Sequence, residues 1–384
     1  MVRLLNALAA VLIVGALVGA MLLLLASHRR ELGARGVAEK GCTFTSTTGI
    51  VQGYDDLSAV TALSRNDIWV VGNNIMHIPH SQASHALLEH WNGSQWCIRP
   101  DPYPITGTAV SVNLRALAAA STNDVWAVGS VPAVGGNHAL IEHWNGSRWS
   151  VTPNPANGSL SGVAAISPTD AWAVGSYSTG TSSGDRALIE HWNGKQWSII
   201  PNPAPISCCF RGITALSAND VWVVGDISFW HTLIVHWDGK RWSVVPSPNP
   251  GNPYISLSSV TAVSPNDAWA VGNFFPSPSH TPVATLTLHW NGSRWSVVSS
   301  PSPSNIGNGL VSVTARSAND VWAVGITNNT LIEHWDGSRW SVVQGAGQGL
   351  SAVAIVPHST TIVAIGLRLL LYIKDPGGEP ISKP

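Results

Sequence analysis

One cassette, written six times, constrains this chain more than any other feature. It opens with Asp-x-Trp-x-Val-Gly, passes through a variable stretch and closes with His-Trp-Asn/Asp-Gly-x-x-Trp. The first copy reads Asp67-Ile68-Trp69-Val70-Val71-Gly72, then His90-Trp91-Asn92-Gly93-Ser94-Gln95-Trp96. The first Trp recurs at Trp126, Trp172, Trp222, Trp269 and Trp322, at spacings of 57, 46, 50, 47 and 53 residues. Three Trp per copy account for 18 of the 19 in the chain and leave Trp230 alone outside the pattern. A unit of about 50 residues buries its apolar face only by stacking on its neighbours, so one repeat array is implied rather than two separate domains.

The second copy shows what each unit builds. Leu114–Ala120 is a run of small apolar residues, and Ser121-Thr122-Asn123-Asp124 supplies turn chemistry. Val125–Gly129 is rich in strand formers, Ala139–Trp144 makes a third strand, and Arg148–Thr152 makes a fourth after an Asn145-Gly146 hairpin turn. Four short antiparallel strands per repeat form a propeller blade. After Gly349, Leu350–Ile355, Thr361–Gly366 and Leu369–Ile373 match the first three strands, with Val363 in place of Trp and Tyr372-Ile373 in place of His-Trp. No fourth strand is evident after Lys374-Asp375. Phe44 precedes Trp69 by 25 residues, within the 23–30 residues that separate the corresponding Trp pairs. Residues 42–49 are therefore expected to close blade seven from the other end of the chain. The expected fold is all-β: a seven-bladed β-propeller of four-stranded antiparallel blades, with an N-terminal transmembrane helix.

The repeats resemble kelch-type (galactose-oxidase-type) and Asp-box-type propellers, and more distantly tectonin-like lectin propellers, over about 340 of 384 residues. They are most similar to bacterial surface propellers with the same Asp-Val-Trp-Ala-Val-Gly and His-Trp-Asn-Gly signatures. Val-Gly stands where kelch repeats have two glycines, and Asp238-Gly239-Lys240-Arg241-Trp242 lacks the Asp-box residue between Asp and Gly. The resemblance implies a fold and leaves function to the site.

Leu4–Ala26 is 23 residues without a charge, long enough to span a bilayer. Residues 1–26 are expected to be a membrane anchor or uncleaved signal, 27–41 a linker, 42–375 the propeller and 376–384 a disordered tail. Arg3 before the span against His28, Arg29, Arg30 and Arg35 after it would place the propeller in the cytoplasm by positive-inside counting. A start-proximal apolar segment commonly exports the chain behind it, and a single-pass cell-membrane protein with an extracytoplasmic propeller is expected. Only 11% of residues are charged, net charge is -1, and no basic run exists, which argues against nucleic acid. The four Cys (Cys42, Cys97, Cys208, Cys209) lack zinc spacing. Cys97 takes the place of a repeated Ser and reads as a small buried substitute, while Cys208-Cys209 leaves vicinal or separate pairing open.

Asp67, Asp124, Asp170, Asp220, Asp267 and Asp320 open the second strand of each copy. His90, His143, His191, His236, His289 and His334 precede the second Trp. Repetition in every blade makes them a structural network rather than metal ligands, with each His bonded to a turn Asp. No metal and no cofactor is expected. The Asn-Gly-Ser triplets at Asn92, Asn145 and Asn291 fit a glycosylation pattern, yet the exchange with Asp238 and Asp336 at fixed Gly reads as tight turns. Glu89, Glu142, Glu190 and Glu333 precede the His, and Val235 and Leu288 interrupt the set, so they read as structural. No catalytic residue is assigned, and a polysaccharide hydrolase or lyase ranks last.

Blade topology sends the turns between strands one and two, and three and four, to one face of the disc. That face carries the repeated Asn-Asp and Asn-Gly turns. The other face carries what differs between copies, so binding is expected there. Its aromatics serve no blade: Trp230 with Phe229 and His231, then Tyr177, Phe274 and Phe275, with Tyr103, Phe210 and Tyr254 in the inter-blade links. Exposed aromatics among Ser, Asn and Gly suit stacking on a sugar or gripping a peptide. The expected function is non-catalytic: recognition of glycan or protein at the cell surface by a monomeric, membrane-anchored propeller. The alternative is a scaffold that assembles envelope proteins through the blade sides or the face of repeated turns.

Overall fold

The computed structural model describes residues 53–76, 84–103, 111–133, 136–179, 184–205, 207–250, 252–276, 282–344, 348–366, 369–374 and 381–382. Each cassette folds into one antiparallel sheet whose four strands follow chain order. In blade 2 these are Asn113–Ser121, Asp124–Ala133, Gly136–Trp144 and Trp149–Val151. Blade 1 occupies 53–98, blade 3 159–199, blade 4 208–244, blade 5 252–297 and blade 6 309–342.

The position of each strand explains its composition. The second strand is covered on both faces, so Asp-Val-Trp-Ala-Val-Gly reads as a nearly continuous buried run, with Val125, Trp126, Ala127 and Val128 at 0% exposure. The first strand is the inner one. Its register slips by one residue near its start, between Leu114 and Ala116 in blade 2, and the same bulge recurs in all seven sheets. The bulge explains the Val-Gly glycine. A Cβ at Gly129 would meet the carbonyl oxygen of Asn113 at 1.8 Å, so no other residue fits beside the displaced inner strand. The outermost strand has three residues, Trp149–Val151 in blade 2, which limits the exposed sheet edge.

Neighbouring blades lock through their indoles. The first Trp of one blade packs on the second and third Trp of the next: Trp126 on Trp192 and Trp197, Trp172 on Trp237 and Trp242, Trp222 on Trp290 and Trp295. One ring of each pair lies tilted and the other edge-on, the arrangement that aromatic quadrupoles favour. Inner-strand serines add stitches, as where the Ser161 hydroxyl donates to the Phe210 carbonyl at 2.6 Å.

Four expectations are corrected here. Six four-stranded blades carry the cassette, and the wheel is not one of seven like blades. The seventh sheet, 350–382, has no cassette Trp, His or Asp and closes the ring by packing Ala352, Val363 and Ile365 against Val60 and Val70. Its fourth strand is the pair Ile381–Ser382, bonded alongside Leu371 and Tyr372, where residues 42–49 were expected. A hairpin partner a few residues downstream prevails over one from the far end of the chain, because consecutive strands pair most readily. The third correction concerns the loop between strands three and four. It has four residues, Asn145–Arg148, and Gly146 alone takes positive φ (89°). The Asn145 carboxamide oxygen accepts from Ser147 N, Ser147 Oγ and Arg148 N, a set that an Asp oxygen serves equally. Lastly, Cys97 is disulfide-bonded rather than a passive filler, while Cys208 and Cys209 are free. No helix occurs among the described residues, and the expected transmembrane helix, linker and Cys42–Gly49 strand lie outside them.

Candidate functional site

On the face of repeated turns, each His Nε2 donates to the Oδ1 of its own blade's Asp over 2.6–3.0 Å: His90 to Asp67, His143 to Asp124, His191 to Asp170, His236 to Asp220, His289 to Asp267 and His334 to Asp320. Register places Trp126, His143 and Ser150 side by side across three strands, so the imidazole lies on the indole with centroids 4.0 Å apart. The second Trp donates its indole N–H to a turn carbonyl, as Trp144 does to Thr122 O at 3.2 Å. Six copies of this arrangement hold turns in place; blade 1 adds Arg99 on His90, and in blade 6 Arg316 and the Trp322 indole also donate to Asp320.

The other face breaks the symmetry at the junction of blades 4 and 5. The second strand of blade 4, Asp220–Ile227, turns sharply through Ser228-Phe229-Trp230 into the third strand, His231–Trp237. Ser228 and Phe229 both take positive φ, 52° and 62°, and nearby Ser207 and Tyr254 do so too, at 65° and 78°. Such backbone costs about 1–3 kcal/mol per residue and persists only where its surroundings dictate it. Here they do. Asp226, its side chain 2% exposed, accepts from Phe229 N at 3.1 Å, from Arg211 Nε at 2.6 Å and from Ser256 Oγ at 3.2 Å. Ser228 donates twice to the Ser207 carbonyl, and Ile255 N of blade 5 donates to the Phe229 carbonyl at 2.8 Å.

This knot presents aromatic surface to solvent. Phe229 is 50% exposed, Trp230 53% and Tyr254 46%. The Trp230 and Tyr254 rings lie 6.2 Å apart and 30° from parallel, and Tyr254 meets Phe275 edge-on at 5.7 Å. Phe229 has the Arg211 guanidinium 5.1 Å from its ring centre. His231 is exposed beside them at the start of its strand.

The remaining expected residues fold back. Tyr177 packs on the core between blades 2 and 3, Phe274 on that between blades 4 and 5, and Tyr103 on that between blades 1 and 2. Phe210 is a core residue at 1% exposure. Sequence reading missed Arg211 and Asp226, which organise the patch. Their signal was present: Asp226 replaces the Asn or Ser that follows Val-Gly in blades 1, 2, 3 and 5.

Three repeated glutamates have a different fate. Glu142, Glu190 and Glu333 sit at 0% exposure on the third strand, in a row that is apolar in blades 4 and 5 (Val235, Leu288). Burial pushes the Glu190 carboxyl up to about 7 and that of Glu333 to about 8, against an opposing hydrogen bond from Ser300. Burial, and secondly Asp101, raises Glu142 well above the ordinary carboxylate range. All three lie inside the wall between blades; Glu333 is mainly a neutral acid at pH 7, and Glu190 is near its midpoint there.

Solved structures share this architecture. YCF48 bound to D1 peptide matches with a TM-score of 0.53 and 14% identity, over 83% of this chain and 92% of that one. YCF48 from Cyanidioschyzon merolae gives 0.54 and 14%, over 84% and 97%. The WD40 repeats of RRP9 give 0.54 and 10%, over 81% and 87%. No protein-family model and no curated relative matches the chain. The fold is therefore that of a β-propeller, and identities this low establish the fold alone.

Proposed function

We propose that this protein is a non-catalytic recognition module that grips a protein segment on the Trp230–Tyr254–Phe275 face. One observation carries the reading: solvent-facing aromatics are held by a strained, fully bonded turn that has no counterpart among the described residues of the other blades. Large rigid rings give contact area at low entropic cost, and a turn ordered in advance removes much of the cost of binding. The YCF48 structure, bound to a peptide, shows that a propeller of this shape can take such a ligand. The module belongs with the bacterial surface propellers that its repeats resemble. Its place is outside the cytoplasm on a membrane anchor, in keeping with the apolar Leu4–Ala26 segment and with the Cys97 disulfide, which suits an oxidising compartment.

Peptide and glycan arrays probed with the purified chain, beside Trp230→Ala and Tyr254→Ala, test this reading. Peptide capture should fall at least about tenfold in each variant, as for a central aromatic anchor. Capture unchanged in both variants would remove the patch from consideration. Capture of glycans alone, lost in Trp230→Ala, would keep the surface and change the ligand to a sugar.

A further inference from the structure

The inner strands of all seven sheets line a central channel, and the bulge re-aims one residue of each toward it. That residue is Ser in four sheets and Val in one; in blades 2 and 4 it is Arg115 and Arg211. The bulge lies near the start of each inner strand, opposite the Val-Gly end of the second strand, and therefore at the variable-face mouth of the channel. Two guanidinium groups thus reach one opening, and none of the described residues lining it is acidic.

The two arginines are held differently. Arg211 is fixed: its Nε is bonded to Asp226, and its plane lies over Phe229. Arg115 is exposed and has no hydrogen-bond or ion-pair partner among the described residues. Between them, Ser161 of blade 3 spends its hydroxyl on the Phe210 carbonyl, so it neither neutralises nor blocks either charge. An uncompensated positive charge at a narrow, protein-walled opening focuses its field on anions, and the planar guanidinium fork matches a carboxylate.

We propose that the variable-face mouth of the channel is a carboxylate-binding site, in which Arg115 is the free charge and Arg211 the positioned one, and that it receives an acidic protein segment. This site is distinct from the aromatic patch, which meets it at Arg211.

Fluorescence anisotropy with labelled hexaglutamate and hexaglutamine peptides tests the assignment. Hexaglutamate should bind saturably, weaken as salt rises, and lose about tenfold in affinity in Arg115→Gln, the scale of one charge-assisted hydrogen bond. Ser258→Glu, which places a carboxylate in the same ring, should abolish binding. Lys240→Gln removes an equal charge from the opposite face and should leave the affinity unchanged. Unchanged thermal unfolding in Arg115→Gln would show that the fold is intact. Equal binding of the two peptides, or an Arg115→Gln affinity within twofold of the parent, would overturn the proposal. Tighter binding of inorganic phosphate than of hexaglutamate would overturn the carboxylate assignment.

Discussion

Two turns on opposite faces solve one problem by different means. Asn145–Arg148 places Gly at its positive φ, caps its amides with one side-chain oxygen and recurs with the same chemistry in six blades. Ser228–Trp230 places Ser and Phe at positive φ and holds them with a buried carboxylate, an arginine and the next blade. Glycine would serve the second turn at lower strain. A chain that keeps a bulky aromatic there is retaining the side chain at the expense of the backbone, as expected where a surface, rather than a fold, is being made. The repeated face should therefore answer to stability measurements and the variable face to binding.

The most severe break of the repeated architecture is Gly129→Ala. Its Cβ would sit 1.8 Å from a backbone oxygen in the packed middle of a blade, with no flexible side chain to yield. A loss of about 4 kcal/mol or more is expected from such overpacking, seen in chemical denaturation or as failure to fold. A tolerated alanine would mean that the inner-strand bulge is not a fixed feature of the blade.

The buried glutamates sharpen the comparison from between the faces. Glu333 is neutral in the folded chain up to about pH 8, while an unfolded Glu ionises near pH 4.3. Its folded value is raised, so its contribution is fully present below pH 4 and is lost as the pH climbs toward 8. Glu333→Leu, the residue that blade 5 uses at that position, removes this dependence. The stability difference between variant and parent should grow by on the order of 4–5 kcal/mol from pH 4 to pH 8 and then level. A flat difference would show that the carboxyl is solvated.

His143→Ala tests the repeated network directly. It removes the partner of the Asp124 carboxylate and the ring stacked on Trp126. A fall of about 1–3 kcal/mol is expected, with binding through the variable face unchanged. An unchanged melting temperature would demote the network to decoration.

The blades were legible because each signal is local and repeated: strand alternation, Trp spacing, the pairing of His with Asp, and Asn exchanging with Asp at fixed Gly. The closing sheet was not, since Ile381–Ser382 is too short to carry a pattern and competes with 42–49 only through tertiary pairing. The patch was half legible. Trp230 stands out as the single Trp outside the cassette, and Phe229, Tyr254 and Phe275 join it. Tyr177, Phe274 and Tyr103 look identical in sequence but face the core, because exposure at a blade end depends on backbone direction. Arg211 and Asp226 acquire their roles only when the bulge and the turn meet. Cys97 likewise reads as a lone apolar filler until its bond is seen.

The smallest effect is the most discriminating, because its sign is unusual. Phe229→Gly removes a half-exposed ring whose visible contact is the Arg211 guanidinium, worth about 0.5–1 kcal/mol at an exposed site. It also relieves a backbone conformation costing about 1–3 kcal/mol, although glycine returns some of that gain as unfolded-state entropy. A net gain of about 0.5 kcal/mol in chemical denaturation is expected, together with weaker capture of the protein ligand. Stability and binding would then move in opposite directions at one residue, which no position on the repeated face should do. A loss of stability in Phe229→Gly would mean that the ring is a structural lid, and the contrast between the two turns would lose its functional meaning.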